Sequence, residues 1–384
     1  MPTPLAWLNL IHERNRLTVA IAGVAFAVVL IFMNLGFLGA LSDTASQLYS
    51  QMNGEIFLVS PQTLEISTSE SFPRERLYQV AGVPGVQRVM PLYVSYGQWR
   101  NPITRRSRAL FVFGVNPNDP LFSLPELQTP EMQRALRSPD IVLMDDFSNP
   151  AFGPREVGTE TELERRRVKI GGNYALGGGF AADGTLIVSD QNFLRLFAPR
   201  PLTTIDLGVI QLQPGLEPEA IEAIAQQMRD QLPNDVQVLT QTQIIQKDRD
   251  YWINTTSTGF IFTLGVTISF IVGTVIVYQI LYTDIRSHLP EYATLKAMGY
   301  RNRYLMLVVL QESIIMALMG YIPGYILAQG LYVLTFNATN GGMPIVMEPS
   351  RAVFVLILAT SMCALSALIS VRKVMTTDPA EVFS

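Results

Sequence analysis

The sequence predicts an α-helical membrane protein, with four transmembrane helices and a large mixed α+β extracytoplasmic domain inserted between the first and the second. Three observations carry this prediction. Hydrophobic residues make up 48% of the 384-residue chain and charged residues only 16%, and the mean hydropathy is +0.25. The apolar residues gather in four blocks, one near the N-terminus and three in the last third, around a middle of ordinary globular composition. Each block is long enough for a helix to cross a hydrocarbon core of about 30 Å, which takes about 20 residues at about 1.5 Å per residue.

The blocks are 17–41, 259–282, 304–334 and 352–371, and only the third contains a charged side chain, Glu312. Helices are the economical way to satisfy every backbone hydrogen bond of an isolated apolar block in lipid. A cleavable signal peptide is the alternative for the first block, with Gly39-Ala40 near a cleavage site, but a signal core is typically about 7 to 15 residues. The longer block is expected to stay as an anchor. Arg14 and Arg16 precede the first block, Arg286, Lys296, Arg301 and Arg303 separate the second from the third, and Arg372 and Lys373 follow the fourth. Lys and Arg near span ends are retained in the cytoplasm, so both termini and 283–303 are expected inside and 42–258 outside. The expected map is thus a cytoplasmic interfacial amphipathic helix at 1–16 carrying Leu5, Trp7, Leu8 and Ile11, the four spans, a periplasmic domain with stalk helices at 42–258, an inner loop at 283–303, a short outer loop at 335–351 and a cytoplasmic tail at 372–384.

Within the outer domain, β-rich runs recur at 55–59, 86–96, 108–115, 141–144, 185–188 and 205–212, and a helix is expected at 217–232 with Ile221, Ile224, Ala225 and Met228 on one face. The 241–257 stretch, with Ile244, Ile245, Asp248, Tyr251 and Trp252, suggests an amphipathic helix leading into the second span. The two histidines, His12 and His288, both fall on the cytoplasmic side of this topology. A Ser-His-Asp hydrolase or a His-based zinc site in the outer domain is therefore excluded by inventory. Asp145-Asp146 is a poor acid–base pair, because neighbours on a strand point to opposite faces. Gly171-Gly172 through Gly177-Gly178-Gly179 lacks the Lys-Ser/Thr of a phosphate loop and reads as a hairpin or loop. The chain holds no ATPase motif. A net charge of -4 gives no basic face for nucleic acid. The runs Arg105, Arg106, Arg108 and Arg165, Arg166, Arg167 read as solvated loop charge. A single cysteine, Cys363, leaves no intrachain disulfide.

The inner loop carries the most informative motif. Pro290 and Glu291 suit the first turn of a helix, and Gly299 suits its C-terminal stop. Tyr292, Leu295 and Met298 then share a face, an apolar stripe that either meets a partner or rests on lipid. The segment 291–300 resembles the coupling-helix motif of the MacB/FtsX-type permeases, ABC transporters with four-helix subunits and a large outer domain. The resemblance extends over essentially the whole chain. It is strongest to the DevC-type permeases of cyanobacterial tripartite exporters, through 4–16, 110–117, 278–300 and the Asp378-Pro379-Ala380 tail.

The resemblance implies a MacB-like periplasmic core domain at 42–258 and a non-catalytic subunit of an inner-membrane exporter. A separate DevA-like ABC ATPase would carry ATP and Mg, with no cofactor on this chain. Glu291, Tyr292, Leu295, Lys296 and Met298 would contact that ATPase, Gly299 would permit the turn, and Asp378, Pro379, Glu381 and Phe383 would add a second contact. It further implies a homodimer in the lipid bilayer, a DevB-like periplasmic membrane-fusion adaptor, a TolC-like outer-membrane channel and no nucleic acid partner. The implied mechanism is mechanotransmission, exporting a glycolipid or other amphiphile. The FtsX-like alternative is a non-transporting subunit that signals to a periplasmic cell-wall hydrolase, and a rival of another class is a sensor or adhesion anchor without an ATPase.

In the third span, Gly320, Pro323 and Gly324 suit close helix contact and a kink. Glu312 is either a functional intramembrane carboxylate or a hydrogen-bonded packing group. Asn34, Gln279, Gln311 and Gln329 are expected to bond between helices.

Overall fold

In a computed structural model, which describes residues 14–177, 182–288, 290, 298, 302–339 and 345–375, the four apolar blocks are long helices: α1 (Arg14–Ser50), and three that follow the outer domain. The chain divides into a unit of Met1–Gly39, Phe260–Thr335 and Ile345–Ser384 and a unit of Ala40–Gly259 with Phe336–Pro344. Each is described by itself.

The second unit is built on a mixed sheet. After β1 (Ile56–Val59) come β2 (Phe72–Pro73), α2 (Glu75–Val80), β3 (Val86–Arg100), β4 (Ser107–Val115), α3 (Pro130–Arg137), β5 (Ile141–Asp145), β6 (Glu160–Leu163), β7 (Arg166–Tyr174), β8 (Thr185–Ser189) and α4 (Asp190–Leu196). The unit continues through β9 (Thr204–Ile205), β10 (Leu207–Leu212), α5 (Pro218–Gln231), β11 (Gln237–Thr240) and α6 (Gln241–Asp250). Nine strands pair in the order β11-β1-β10-β3-β4-β8-β5-β7-β6. The β4–β8 and β5–β7 pairs are parallel. β6 pairs back onto β3, Trp99 opposite Leu163 and Arg100 opposite Glu162, so that β3, β4, β8, β5, β7 and β6 close a ring.

The sheet is covered on both faces, and this explains its uninterrupted apolar strands. Ile56 and Leu58 of β1 pack with Trp99, Val112 and Phe193, whereas Phe57 and Val59 pack with Leu92, Phe113 and Val209. α5 seals one of these cores with Ala225 and Met228, both fully buried. Its Pro218 occupies the first turn, where a missing N–H costs nothing.

Two sequence expectations need correction. The run 205–212 is two strands rather than one, because Asp206 turns inward between them: its carboxylate accepts from the Val94 N–H at 2.7 Å and pairs with Arg200. Gly171 and Gly172 lie within β7 rather than in a loop. A Cβ there would stand 2.4 Å from Ile141 Cγ2 and 2.1 Å from Met132 Sδ respectively, so glycine lets α3 and β5 press on the strand. Gly178 and Gly179 lie outside the described residues.

The membrane unit contains α7 (Ser257–Ser287), α8 (Asn302–Ala338) and α9 (Pro349–Met375) with the first part of α1. Among the described residues, four segments are long and apolar enough to cross a membrane: Leu17–Asp43, Ser257–Ser287, Met306–Ala338 and Pro349–Arg372. Their buried side chains, among them Val24, Val28, Phe32, Val277, Leu281, Met316, Met362 and Ala367, form one continuous core. The opposite side of α7 is apolar and exposed at Phe260, Ile261, Leu264, Ile268, Ile271 and Val275, as lipid contact requires.

Candidate functional site

The 283–303 loop lies between α7 and α8. α7 closes with His288, whose backbone N–H donates to the Asp284 carbonyl at 3.2 Å and whose Nδ1 lies 3.0 Å from the same oxygen. Pro290 is exposed, and Met298 is 64% exposed, an unusual state for a methionine outside the membrane core. Glu291, Tyr292, Leu295, Lys296 and Gly299 lie outside the described residues, as do Asp378, Pro379, Glu381 and Phe383.

Within the membrane, glycine decides how closely helices approach. A Cβ on Gly320 would stand 2.5 Å from Val24 Cβ and 3.2 Å from the Ile21 carbonyl oxygen, and one on Gly324 2.9 Å from Val28 Cβ and 3.0 Å from the Ala25 carbonyl oxygen. Two helical turns further, Gly36 of α1 sits against the Tyr332 ring, whose hydroxyl donates to the Phe32 carbonyl. α1 and α8 thus run parallel at constant register, with a small residue at each crossing point. Pro323 stands inside α8 between the two glycines. A second parallel pair, α7 and α9, is tied by Ser366 donating to the Thr274 carbonyl at 2.8 Å and Ser370 to the Tyr278 carbonyl at 3.4 Å. Glu312 is fully buried beside Ser313.

The polar spans differ from expectation in one respect. Asn34 donates to the Leu30 carbonyl of its own helix at 2.8 Å, and Gln279, Gln311 and Gln329 are exposed. Serine and tyrosine hydroxyls make interhelical bonds among the described residues. Short or rigid side chains lose less rotamer entropy in reaching a neighbouring helix.

Among the described residues of the outer unit, Asp145 and Asp248, besides Asp206, anchor buried carboxylate clusters. Asp145, the last residue of β5, is fully buried, and its carboxylate accepts from the N–H groups of Phe147 at 3.1 Å, Leu176 at 3.2 Å and Gly177 at 2.7 Å and from Thr185 Oγ1 at 2.9 Å. Burial pushes its pKa upward despite those donors. Asp146 faces solvent, so the adjacent pair divides into a buried staple and a surface charge. Asp145→Asn should cost about 2 kcal/mol of outer-domain stability, because an amide N–H then faces backbone donors; thermal unfolding of the two forms measures it.

The second cluster joins the C-terminal end of α1 to α6. Asp248 is 2% exposed. Tyr49 Oη donates to its Oδ2 at 2.9 Å and the Ile66 N–H at 3.3 Å. Gln241, at the start of α6, donates to the Tyr49 carbonyl at 3.0 Å. Burial first, and then the nearby charge of Glu65, push the Asp248 pKa up to about 7. Tyr49 is itself raised well above the ordinary tyrosine value, by burial and then by the Asp248 charge. Sequence reasoning left Asp248 in an amphipathic helix without a role. The available signal was its spacing, one turn from Ile244 on the apolar face.

Among the described residues no group of three His, Cys, Asp or Glu side chains is arranged to hold a metal.

Comparison with known proteins agrees with this organisation. Residues 17–230 match the family described as MacB-like periplasmic core domain, and residues 260–379 match the FtsX-like permease C-terminal family. ABC transporter permeases of Mycobacterium bovis and Mycobacterium tuberculosis, both described as uncharacterized, are 23% identical over 374 residues, which is 97% of this chain and 96% of theirs. The crystal structure of the periplasmic region of MacB from Actinobacillus actinomycetemcomitans aligns at 12% identity and a TM-score of 0.37, covering 54% of this chain and 97% of that one. The extracellular domain of the noncanonic ABC-type transporter YknZ from Gram-positive bacteria aligns at 15% identity and a TM-score of 0.34, covering 49% of this chain and 100% of that one. A periplasmic core match over more than half of the sequence, followed by the permease domain in the same chain, makes this multi-pass membrane protein a member of the MacB/FtsX-like family of ABC transporter permeases.

Proposed function

We propose that this subunit couples ATP turnover on a separate cytoplasmic ATPase to movement of its outer domain, and so drives an amphiphile such as a glycolipid out of the inner membrane. The ATPase carries the nucleotide and Mg; this chain contributes no catalytic group. Both termini and 283–303 face the cytoplasm, 42–258 face the periplasm, and two copies work as a homodimer with two ATPases. A periplasmic membrane-fusion adaptor and an outer-membrane channel of the TolC type continue the path.

The observation that supports this reading most is the order of the chain. A periplasmic core domain and a permease domain follow each other, and the loop between α7 and α8 carries Met298 exposed, in a segment whose sequence also holds Tyr292 and Leu295. An apolar side chain left in water at a loop stabilises the protein only when a partner covers it. Tyr49 and Asp248 support the transmission step, because they bond the chain that follows the first span to the chain that precedes the second.

The test is co-purification. Leu295→Asp with Met298→Asp should abolish recovery of the ATPase subunit in mild detergent while the permease itself still folds; undiminished recovery would refute the coupling role of this loop. Topology is checked independently. Cys363 is buried, so the chain gives a low thiol background, and a cysteine placed at Tyr292 should resist a membrane-impermeant maleimide in intact cells. A cysteine at Ile103 should react. Substrate accumulating in the inner membrane of a deletion strain separates export from signalling to a cell-wall hydrolase.

A further inference from the structure

The two arginine runs, separate in sequence, are brought together by the strand pairing that closes the ring. Arg100 of β3, Glu162 of β6 and Arg167 of β7 are successive cross-strand partners and so share one face. Arg100 pairs with Glu162 at 2.8 Å, and the charges of Arg105 and Arg167 also act on that carboxylate, which is held below its usual range chiefly by its bond to Arg100. One carboxylate thus serves three guanidinium groups. Arg105 and Arg167 are both exposed, and among the described residues neither makes an ion pair.

The loop that carries Arg105 is held in shape. Asn101, 6% exposed, accepts from the N–H groups of Ile103 at 2.8 Å and Thr104 at 2.9 Å and donates to the Ala151 carbonyl at 2.9 Å. This frame projects Ile103 into solvent at 72% exposure. Arg105 adopts a left-handed backbone with φ of 58°, and the turn between β6 and β7 places Glu164 at 50° and Arg165 at 63°. Such conformations favour Asn and Gly, so a bulky charged residue there is held in a strained backbone. The strained backbone of Arg105, the apolar tip at Ile103 and surplus guanidinium charge therefore coincide at the 101–106 corner, while the turn at Glu164 and Arg165 sits beside Gln98.

We propose that this corner docks a carboxylate-rich segment of a partner protein, with Ile103 as the apolar anchor and Arg105 and Arg167 taking the acidic side chains. Planar guanidinium groups bind carboxylates in pairs of parallel hydrogen bonds, and a rigid apolar anchor ringed by arginine is the composition of an interface centre. A diffuse anionic lipid surface would need neither the fixed Ile103 nor the intervening Glu162. The inference rests on the proposed function only for the periplasmic placement of the corner.

The test is photo-crosslinking of the full chain in intact cells, with benzoylphenylalanine at position 103 and, for reference, at Leu202, which is 67% exposed. The expected result is an adduct from position 103 to one protein, mapped by mass spectrometry to a stretch rich in Asp and Glu. It should fall about tenfold or more in Arg105→Glu with Arg167→Glu, and return when acidic residues of that stretch are changed to lysine. Arg105→Gln with Arg167→Gln gives a milder second variant, and unchanged thermal unfolding of both separates lost docking from lost folding. Adducts to lipid alone, a yield no higher than from position 202, or indifference to charge reversal would each overturn the proposal. Failure of the Ile103 cysteine to react with impermeant maleimide would instead overturn the periplasmic placement.

Discussion

Replacing Gly320 and Gly324 together by leucine should destroy the packing of α1 against α8, whereas Gly330→Ala should leave the protein intact or stabilise it slightly. The contrast comes from what each new Cβ meets. At Gly320 and Gly324 it meets the Val24 and Val28 side chains within 2.9 Å, and also the backbone carbonyl oxygens of Ile21 and Ala25 at 3.2 and 3.0 Å. A side chain can turn away, but a carbonyl in a helix cannot move without moving the helix. Overpacking one such site typically costs about 1 to 3 kcal/mol, and two sites one turn apart force the same separation, so their effects compound. Gly330 has nothing within 4 Å of a built Cβ, and alanine there gains up to about 1 kcal/mol of helix propensity. Thermal unfolding in detergent checks the pair. Equal melting of the leucine double variant and the parent would remove the glycine contact from the account of this bundle.

Long apolar blocks made the membrane helices legible, because a 20-residue run free of charge has few other uses. The spacing of Gly320 and Gly324 was visible too, although the partner helix was not: nothing in 320–324 names Val24 or Val28. In the outer domain, β1, β3, β4, β5 and β8 announced themselves as β-branched and aromatic runs between turn residues. The β6–β7 hairpin did not. Its turn is Glu164-Arg165 instead of an Asn-Gly pair, and Arg166 and Arg167 open the second strand, so charge concealed a strand. The alternation became readable only through the partner strands, which bury Leu163, Val168 and Ile170. Asp206 was hidden in the opposite way. It interrupts an apolar run without changing its character, and only the Val94 N–H and Arg200 explain why a carboxylate sits there. Long-range partners decide such positions, and a single sequence does not show them.

Asp248→Asn should remove a pH dependence of stability that runs from about pH 4 to about pH 7. The folded protein holds this carboxyl proton up to about pH 7, against an ordinary value of 3.8, because ionisation would leave a charge in a 2% exposed site beside Glu65. The unfolded chain releases the proton near its ordinary value. Between those limits the folded state binds more protons than the unfolded state, so the contribution of Asp248 to stability is present below about pH 4 and is lost progressively as pH rises to about 7. The slope is at most about 1.4 kcal/mol per pH unit, and the full span is on the order of 4 kcal/mol. Asparagine keeps an oxygen that accepts from Tyr49 Oη but cannot ionise. The variant should therefore match the parent below about pH 4, exceed it increasingly up to about pH 7 and hold a constant advantage above that, as measured by denaturant unfolding at each pH. Parallel curves would show that Asp248 does not titrate in this range. Above neutrality the charged form of Asp248 also strengthens its attraction for the Tyr49 hydroxyl while raising the cost of burial. The joint between α1 and α6 is then held by a stronger bond in a less stable setting, so its stability, unlike its hydrogen bond, falls as the pH rises to about 7.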